Sequence, residues 1–129
     1  TMIRTADAAG FSGVIVSSKS ADIYSLKTLR SMQGSHFHLP IYRMAVETFI
    51  EEAKKGNLPI LATTLSQNSK DYRELVRLED FALVMGNEGQ GISPLMTEQA
   101  DQLVHISMKG QAESLNVAIA AGILMFYLS

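Results

Sequence analysis

Short apolar segments alternate with helical segments along this chain, and this alternation constrains its fold more than any other feature. A candidate strand from Phe37 to Tyr42 contains Pro40, which favours an edge strand or a strand end. Four others have the length and β-branched content of buried strands and lack the apolar–polar alternation of a strand with one solvated face. These four are Val14 to Val16, Ile60 to Thr63, Phe81 to Met85 and Leu103 to Ile106.

Helical signals lie between the candidate strands. From about Val46 to Lys55, apolar residues recur at helical spacing with charged residues on the opposite face, and Gly56 supplies a stop. Ser93 followed by Pro94 is typical of the N-cap and first turn of another helix. This order of strands and helices predicts an α/β fold with a mostly parallel sheet and helices on both faces.

The last predicted helix begins near Ser114 and is apolar on nearly every side. A helix without a polar face must be covered by the rest of the domain or by another subunit, and the sequence leaves both open. One side of it is small because of Ala118, Ala120, Ala121 and Gly122.

Composition limits the class of protein. With 129 residues, 47% of them hydrophobic, residues 1–129 are expected to form one domain with a substantial core. The sequence has no cysteine, which excludes disulfides, thiolate nucleophiles and cysteine metal sites. We expect a cytoplasmic location, and a reducing compartment is compatible with the absence of cysteine. The longest apolar stretch, Val117 to Leu128, is shorter than the roughly 20 residues that span a bilayer.

A glycine-rich run, Gly86-Asn87-Glu88-Gly89-Gln90-Gly91-Ile92-Ser93, directly follows a candidate strand. A loop of this kind that opens a helix directs backbone N–H groups towards a ligand. Ile92 replaces the lysine of a phosphate-binding G-x-x-x-x-G-K-[ST] loop, and Glu88 adds negative charge. Pro94 stands where a dinucleotide fingerprint needs its third glycine. The loop is therefore expected to bind something other than phosphates.

This run and a second one near the C-terminus resemble motifs of the SpoU (TrmH-like) family of RNA ribose 2′-O-methyltransferases, in the SPOUT superfamily. Gly86 to Ser93 matches the second motif, G-N-E-G-x-G-[IL]-S, throughout. Ile106 to Ala120 matches the third, I-P-M-x-G-x-x-x-S-L-N-V-[AS]-x-A, except that Ser107 replaces the proline. Only the tail of the first motif, N-x-G-x-x-x-R-[ST]-A, is present, from Met2 to Ala6. The start of that motif is expected before Thr1.

The resemblance implies a fold and an activity. The fold would include a deep C-terminal trefoil knot, which general rules of chain topology would not predict, and a homodimer formed through helices near the knot. The activity would be methyl transfer from S-adenosylmethionine to a ribose 2′-OH in tRNA or rRNA, without a metal. The alternative is a non-catalytic RNA-binding or assembly protein on a methyltransferase-like fold.

Cofactor contacts are implied by motif position at Thr63, Gly86, Ile106, Ser114 and Leu115. Strand-end backbone groups and apolar side chains suit adenine recognition. The structural alternative is that Ile106 and Leu115 belong to the core and that Gly86 is a turn glycine.

Ser107 and the family's proline differ in how they restrict the backbone and in whether they carry an N–H donor. Proline would fix φ near −65° and remove a donor, whereas serine leaves the loop freer and adds an N–H. We expect tuned cofactor affinity rather than lost activity.

Catalytic roles are implied first for Arg4. A fixed guanidinium lowers the pKa of a nearby hydroxyl and stabilises the oxyanion, but it stays protonated, so another acceptor must take the proton. Glu88 could orient Arg4, although we favour a role in holding the glycine-rich loop. Ser114 and Asn116 are expected to cap the last helix, and Asn116 could also position substrate.

The charge of the chain, −2, does not favour RNA binding unless positive charge is local. A basic cluster lies in the first third of the chain, where no acidic residue stands between Asp22 and Glu47, although an ordinary solvated surface explains it equally well. His105, inside an apolar strand, is expected to be hydrogen-bonded and either part of the core or partly buried. The cluster comprises Lys19, Lys27, Arg30, His36, His38 and Arg43.

Overall fold

A seven-stranded sheet runs through the part of the chain that the computed structural model describes. That part comprises residues 6–17, 23–27, 40–64, 68–76, 78–86, 92–107 and 117–128, with the backbone alone for residues 17, 23–27 and 117–118. The strands are β1 (Gly13–Ser17), β2 (Ile23–Lys27), β3 (Ile41–Met44), β4 (Ile60–Thr63), β5 (Lys70–Asp71), β6 (Phe81–Met85) and β7 (Gln102–His105).

The spatial order of the strands is β3-β1-β2-β6-β4-β7-β5. Strand β2 is antiparallel to both of its neighbours, β1 and β6, whereas the other pairs are parallel. The prediction of a mostly parallel α/β sheet is confirmed. The patterns did not predict β2, in which polar and apolar residues mix, or β5, which is only two residues long.

The observed strand β3 starts and ends later in the chain than the strand predicted from Phe37 to Tyr42. Strand β3 begins after Pro40 and runs from Ile41 to Met44, while residues 28–39 lie outside the described residues. Pro40 cannot donate a backbone hydrogen bond, but its carbonyl accepts one from Val14 N at 2.9 Å. The expected edge position is confirmed, since β3 ends the sheet.

Helices α1 (Val46–Lys55), α2 (Pro94–Gln99) and α3 (Val117–Leu128) flank the sheet, with a 3₁₀ turn at Tyr72–Glu74. At the start of α2 the hydroxyl of Ser93 accepts from Met96 N at 3.2 Å, which confirms the predicted cap.

The stop predicted for α1 at Gly56 is confirmed, and the left-handed residue is the one that follows it. Gly56 is the C-cap with φ −89°, and Asn57 takes the left-handed conformation with φ 54°. The bonds Asn57 N to Lys54 O (3.2 Å) and Leu58 N to Ala53 O (2.8 Å) form a Schellman motif. Asparagine tolerates this conformation better than most residues with a side chain.

Among the residues that the structure describes, two clusters of apolar side chains form the core, one on each face of the sheet. Every residue of β6 is buried, and its side chains alternate between the clusters. Phe81, Leu83 and Met85 pack on the side of α3, while Ala82 and Val84 pack on the side of α1 and α2. Helices on both faces are thereby confirmed.

Helix α3 is covered on one side. Ile119 is 57% exposed and Phe126 54% exposed, and Ile123 and Tyr127 are also exposed. A central position covered on all sides, one of the two sequence-based alternatives, is therefore wrong. No helix among the described residues is both long and apolar enough to cross a membrane. The buried side of α3 consists of Ala121, Leu124, Met125 and Leu128.

Candidate functional site

The carboxyl ends of three adjacent parallel strands, β6, β4 and β7, meet at one edge of the sheet. Ala62 pairs with Val84, and Thr63 pairs with Val104. Gly86 lies two residues beyond Val84, and Ile106 lies two residues beyond Val104. The register therefore places Thr63, Gly86 and Ile106 together at the edge where open α/β sheets bind ligands. We call it the carboxyl edge.

Thr63 has a structural task at this edge. Its hydroxyl donates to the carbonyl of Val84 at 3.1 Å, which ties the end of β4 to β6. On the other side, Thr64 N donates to Val104 O at 3.0 Å. These bonds set the spacing between the three strand ends.

Gly86 and Ile106 are both half-buried. Ile106 packs against the apolar cluster on the α3 side and keeps part of its surface accessible. Gly86 follows the fully buried β6 without a side chain, so a ligand can approach its backbone closely. An apolar side chain beside accessible backbone matches what an adenosine group requires.

The end of the glycine-rich motif joins the carboxyl edge to α2. Ser93 caps the helix, and Ile92 packs against the apolar cluster on the α1 side. Residues 87–91, including Glu88, lie outside the described residues. The predictions for Arg4, Ser114, Leu115 and Asn116 also fall outside them.

A polar cluster at the end of β5 was not predicted from the sequence. Asp71 Oδ1 accepts from Arg73 N at 2.9 Å and from Arg73 Nε at 3.0 Å. Asp71 Oδ2 accepts from the hydroxyl of Ser107. Asp71 N donates to Glu74 Oε1 at 3.3 Å, which completes a capping box on the 3₁₀ turn. The spacing of an N-cap residue and a glutamate three positions later could have revealed it.

Hydrogen bonds and charge set the ionisation of this cluster. The side chain of Arg73, followed by the hydroxyl of Ser107, holds the pKa of Asp71 well below its ordinary value. Reciprocally, the carboxylate of Asp71 raises the pKa of Arg73. Asp71 is therefore a carboxylate at neutral pH and accepts from all of these donors.

His105, at the end of β7, is half-buried, and its Nδ1 lies 2.8 Å from the hydroxyl of Ser69. This confirms the expected hydrogen-bonded, partly buried histidine. Among the described residues, no group of three or more histidine, cysteine, aspartate or glutamate side chains is arranged to hold a metal.

The 3₁₀ turn also contacts α3. The hydroxyl of Tyr127 donates to Arg73 O at 3.3 Å, and the rings of Tyr72 and Tyr127 meet edge to face at 4.9 Å. The turn is thus linked both to the end of β7, through Asp71, and to the last helix.

The described residues form an α/β domain in which three adjacent parallel strands end together at the carboxyl edge. Residues 1–126 match the model of the SpoU rRNA Methylase family, and the chain belongs to this family. The family resemblance seen in the motifs is confirmed.

Individual relatives agree with this assignment. The chain is 46% identical over 128 residues to the 23S rRNA (guanosine(2553)-2'-O)-methyltransferase RlmP of Bacillus subtilis, covering 99% of this chain and 51% of that protein. The AdoMet-bound rRNA methyltransferase of Sinorhizobium meliloti superposes with a TM-score of 0.79 at 40% identity, covering 98% of this chain and 48% of that one.

A third relative has also been solved with its cofactor. The SpoU methyltransferase AviRb of Streptomyces viridochromogenes, in complex with AdoMet, superposes with a TM-score of 0.71 at 32% identity. The match covers 97% of this chain and 49% of that one. The chain therefore spans about half the length of the relatives it matches.

Proposed function

We propose that this chain forms the cofactor-binding and catalytic part of an S-adenosylmethionine-dependent methyltransferase that acts on a ribose 2′-OH in RNA. One observation carries the proposal: Thr63, Gly86 and Ile106 meet at the carboxyl edge, where an apolar side chain lies beside accessible strand-end backbone. Membership of the SpoU family and the AdoMet-bound relatives support it.

Within this proposal, the cofactor is held at the carboxyl edge. Gly86 allows close approach of the ligand to the backbone, and Ile106 supplies an apolar surface for adenosine. Ser114 and Leu115, in the third motif, complete the binding site. When bound, S-adenosylmethionine supplies an electrophilic methyl group on its sulfonium.

On the ribose side, Arg4 lowers the pKa of the 2′-OH and stabilises negative charge on its oxygen. The proton passes to an acceptor other than Arg4, since a guanidinium stays protonated. Glu88 holds the glycine-rich loop, while Ser114 and Asn116 cap the last helix. We favour rRNA as the substrate, because the relative at 46% identity is a 23S rRNA methyltransferase.

Two measurements on the full-length protein test this function. Calorimetric titration with S-adenosylmethionine is expected to show binding, and labelled methyl should then be transferred to transcribed 23S rRNA. Absence of cofactor binding would overturn the proposal. Binding of RNA without binding of cofactor would support the alternative, a non-catalytic RNA-binding or assembly protein.

A homodimer, a knot and a cytoplasmic location belong to the same proposal. The exposed apolar side of α3 offers a surface for a second copy, with Ile119 and Phe126 each more than half exposed. Sedimentation velocity at micromolar concentration should show a dimer. Ile119→Asp should shift it towards monomer, while Tyr42→Asp, at an exposed position opposite Ile15 on the α1 side of the sheet, should not. A native monomer would contradict the dimer.

An experimental structure that traces residues 108–116 tests the knot.

A further inference from the structure

Ser107 stands two residues beyond the end of β7, where the third motif begins. Its hydroxyl donates to Asp71, the last residue of β5. Strands β5 and β7 run parallel with Asp71 opposite His105. The bond therefore joins the chain that has just left β7 to the end of the neighbouring strand.

The acceptor of this bond is itself held in place. Asp71 accepts from the backbone and side chain of Arg73, and its own N–H donates to Glu74. Its side chain is only 13% exposed, compared with 53% for Arg73. Because the side chain of Asp71 is already ordered by these bonds, its hydrogen bond with Ser107 costs little further entropy on the Asp71 side.

The same 3₁₀ turn contacts the chain on the far side of the third motif. Tyr127 of α3 donates to Arg73 O, and its ring packs on Tyr72. The turn therefore touches both the strand that leads into residues 108–116 and the helix that follows them.

We infer that Asp71 and Ser107 are positioning residues for the cofactor site. Their hydrogen bond fixes the backbone immediately after Ile106, one of the three residues at the carboxyl edge. It takes the place of the conformational restriction that proline provides in the third motif. This inference rests on the proposed function.

Cofactor titration of matched variants of the full-length protein tests the pair. Ser107→Ala and Asp71→Ala should each weaken S-adenosylmethionine binding about fivefold, the effect of one net hydrogen bond. The double variant should bind no more weakly than either single variant, because both remove the same bond. Ser107→Thr, which keeps the hydroxyl, should retain native affinity.

Two further variants separate positioning from stability. Asp101→Ala removes a carboxylate that accepts from a backbone N–H at the opposite end of the sheet, so it should lower stability without changing affinity. Ser107→Pro should bind as tightly as the native protein, and adding Asp71→Ala to it should cost no affinity.

The outcomes distinguish this inference from the proposed function. A native protein that does not bind S-adenosylmethionine would overturn both the function and the inference. A native protein that binds, with Ser107→Ala binding equally well, would overturn the inference alone. Additive losses in the double variant would also overturn it. Ser107 is exposed, so its alanine variant is expected to fold even if Asp71→Ala does not.

Discussion

The two ends of the central strands are held together in different ways. At the amino end, Ile60 N donates to Asp101 Oδ2 at 2.7 Å and Asp101 N donates to Ile60 O at 2.9 Å. At the carboxyl edge, two side-chain hydroxyls add to the backbone bond from Thr64 to Val104: Thr63 donates to Val84 O, and Ser107 donates to Asp71.

This difference predicts that stability and ligand binding depend on opposite ends of the strands. The amino end joins its strands around Ile60, which is fully buried, so its bonds chiefly support folding. The carboxyl edge leaves Gly86 and Ile106 half-buried and leads into the second and third motifs. Parallel α/β sheets place ligands at this end because the loops that follow the strands converge there. Substitutions at the two ends should therefore have separable effects.

The largest effect is expected from Leu115→Arg. It would place an uncompensated charge in an apolar adenosine site, so cofactor binding should be abolished. Calorimetric titration measures this, and Ile41→Arg, at an exposed apolar position on the far edge strand, should bind normally. A folded Leu115→Arg protein with native affinity would place the pocket elsewhere.

Arg4→Ala should have the next largest effect. Losing one positioned electrostatic group should slow methyl transfer at least about a hundredfold, with cofactor affinity nearly unchanged. Arg4→Lys should rescue little, because an ammonium does not reproduce the planar guanidinium. Single-turnover transfer to transcribed RNA is the measurement. A near-normal rate would make Arg4 a surface residue, and a parallel loss of cofactor binding would assign it to the pocket.

Asp101→Ala tests the amino end. It leaves the N–H of Ile60 without its carboxylate acceptor, so the free energy of unfolding should fall by about 2 kcal/mol. Urea denaturation measures the loss. If Asp101→Ala changed cofactor affinity as strongly as Asp71→Ala, the functional separation of the two ends would be wrong.

The smallest effect is expected in how the free energy of unfolding depends on pH through Asp71. Arg73 and Ser107 hold the pKa of Asp71 below its value in the unfolded chain, so the folded protein binds this proton less readily. The resulting stability is present above about pH 4 and is lost as the pH falls towards the lowered pKa. Unfolding free energies measured between pH 7 and pH 3 should fall less steeply in Asp71→Asn than in the native protein. Equal slopes would contradict this role of Asp71.

Sequence patterns predicted some elements closely and missed others. Strand β6 and helix α1 were predicted with the boundaries observed, because a continuous apolar run and a helical repeat are strong local signals. Strand β2 was missed because its polar and apolar residues follow no strand pattern, and the segment is a strand because it pairs with β1 and β6. The left-handed conformation of Asn57 after α1 was not predicted either, since asparagine and glycine both suit such a position.

For the candidate site, motif positions predicted cofactor contacts at Thr63, Gly86 and Ile106, and the sheet register places these three residues at one edge. The pairing of Asp71 with Ser107 could not be predicted, because 36 residues separate them along the chain and only the parallel pairing of β5 with β7 brings them together.

The sequence by itself determined the family, the alternation of strands and helices, and the residues expected to bind a ligand. These properties depend on local patterns of apolar residues, glycines and caps, which can be recognised along the chain. Only the tertiary structure decided the strand order, the reversed direction of β2, the exposed side of α3 and the bond between Asp71 and Ser107. Each of these depends on contacts between residues distant in sequence, and such contacts exist only once the sheet has assembled.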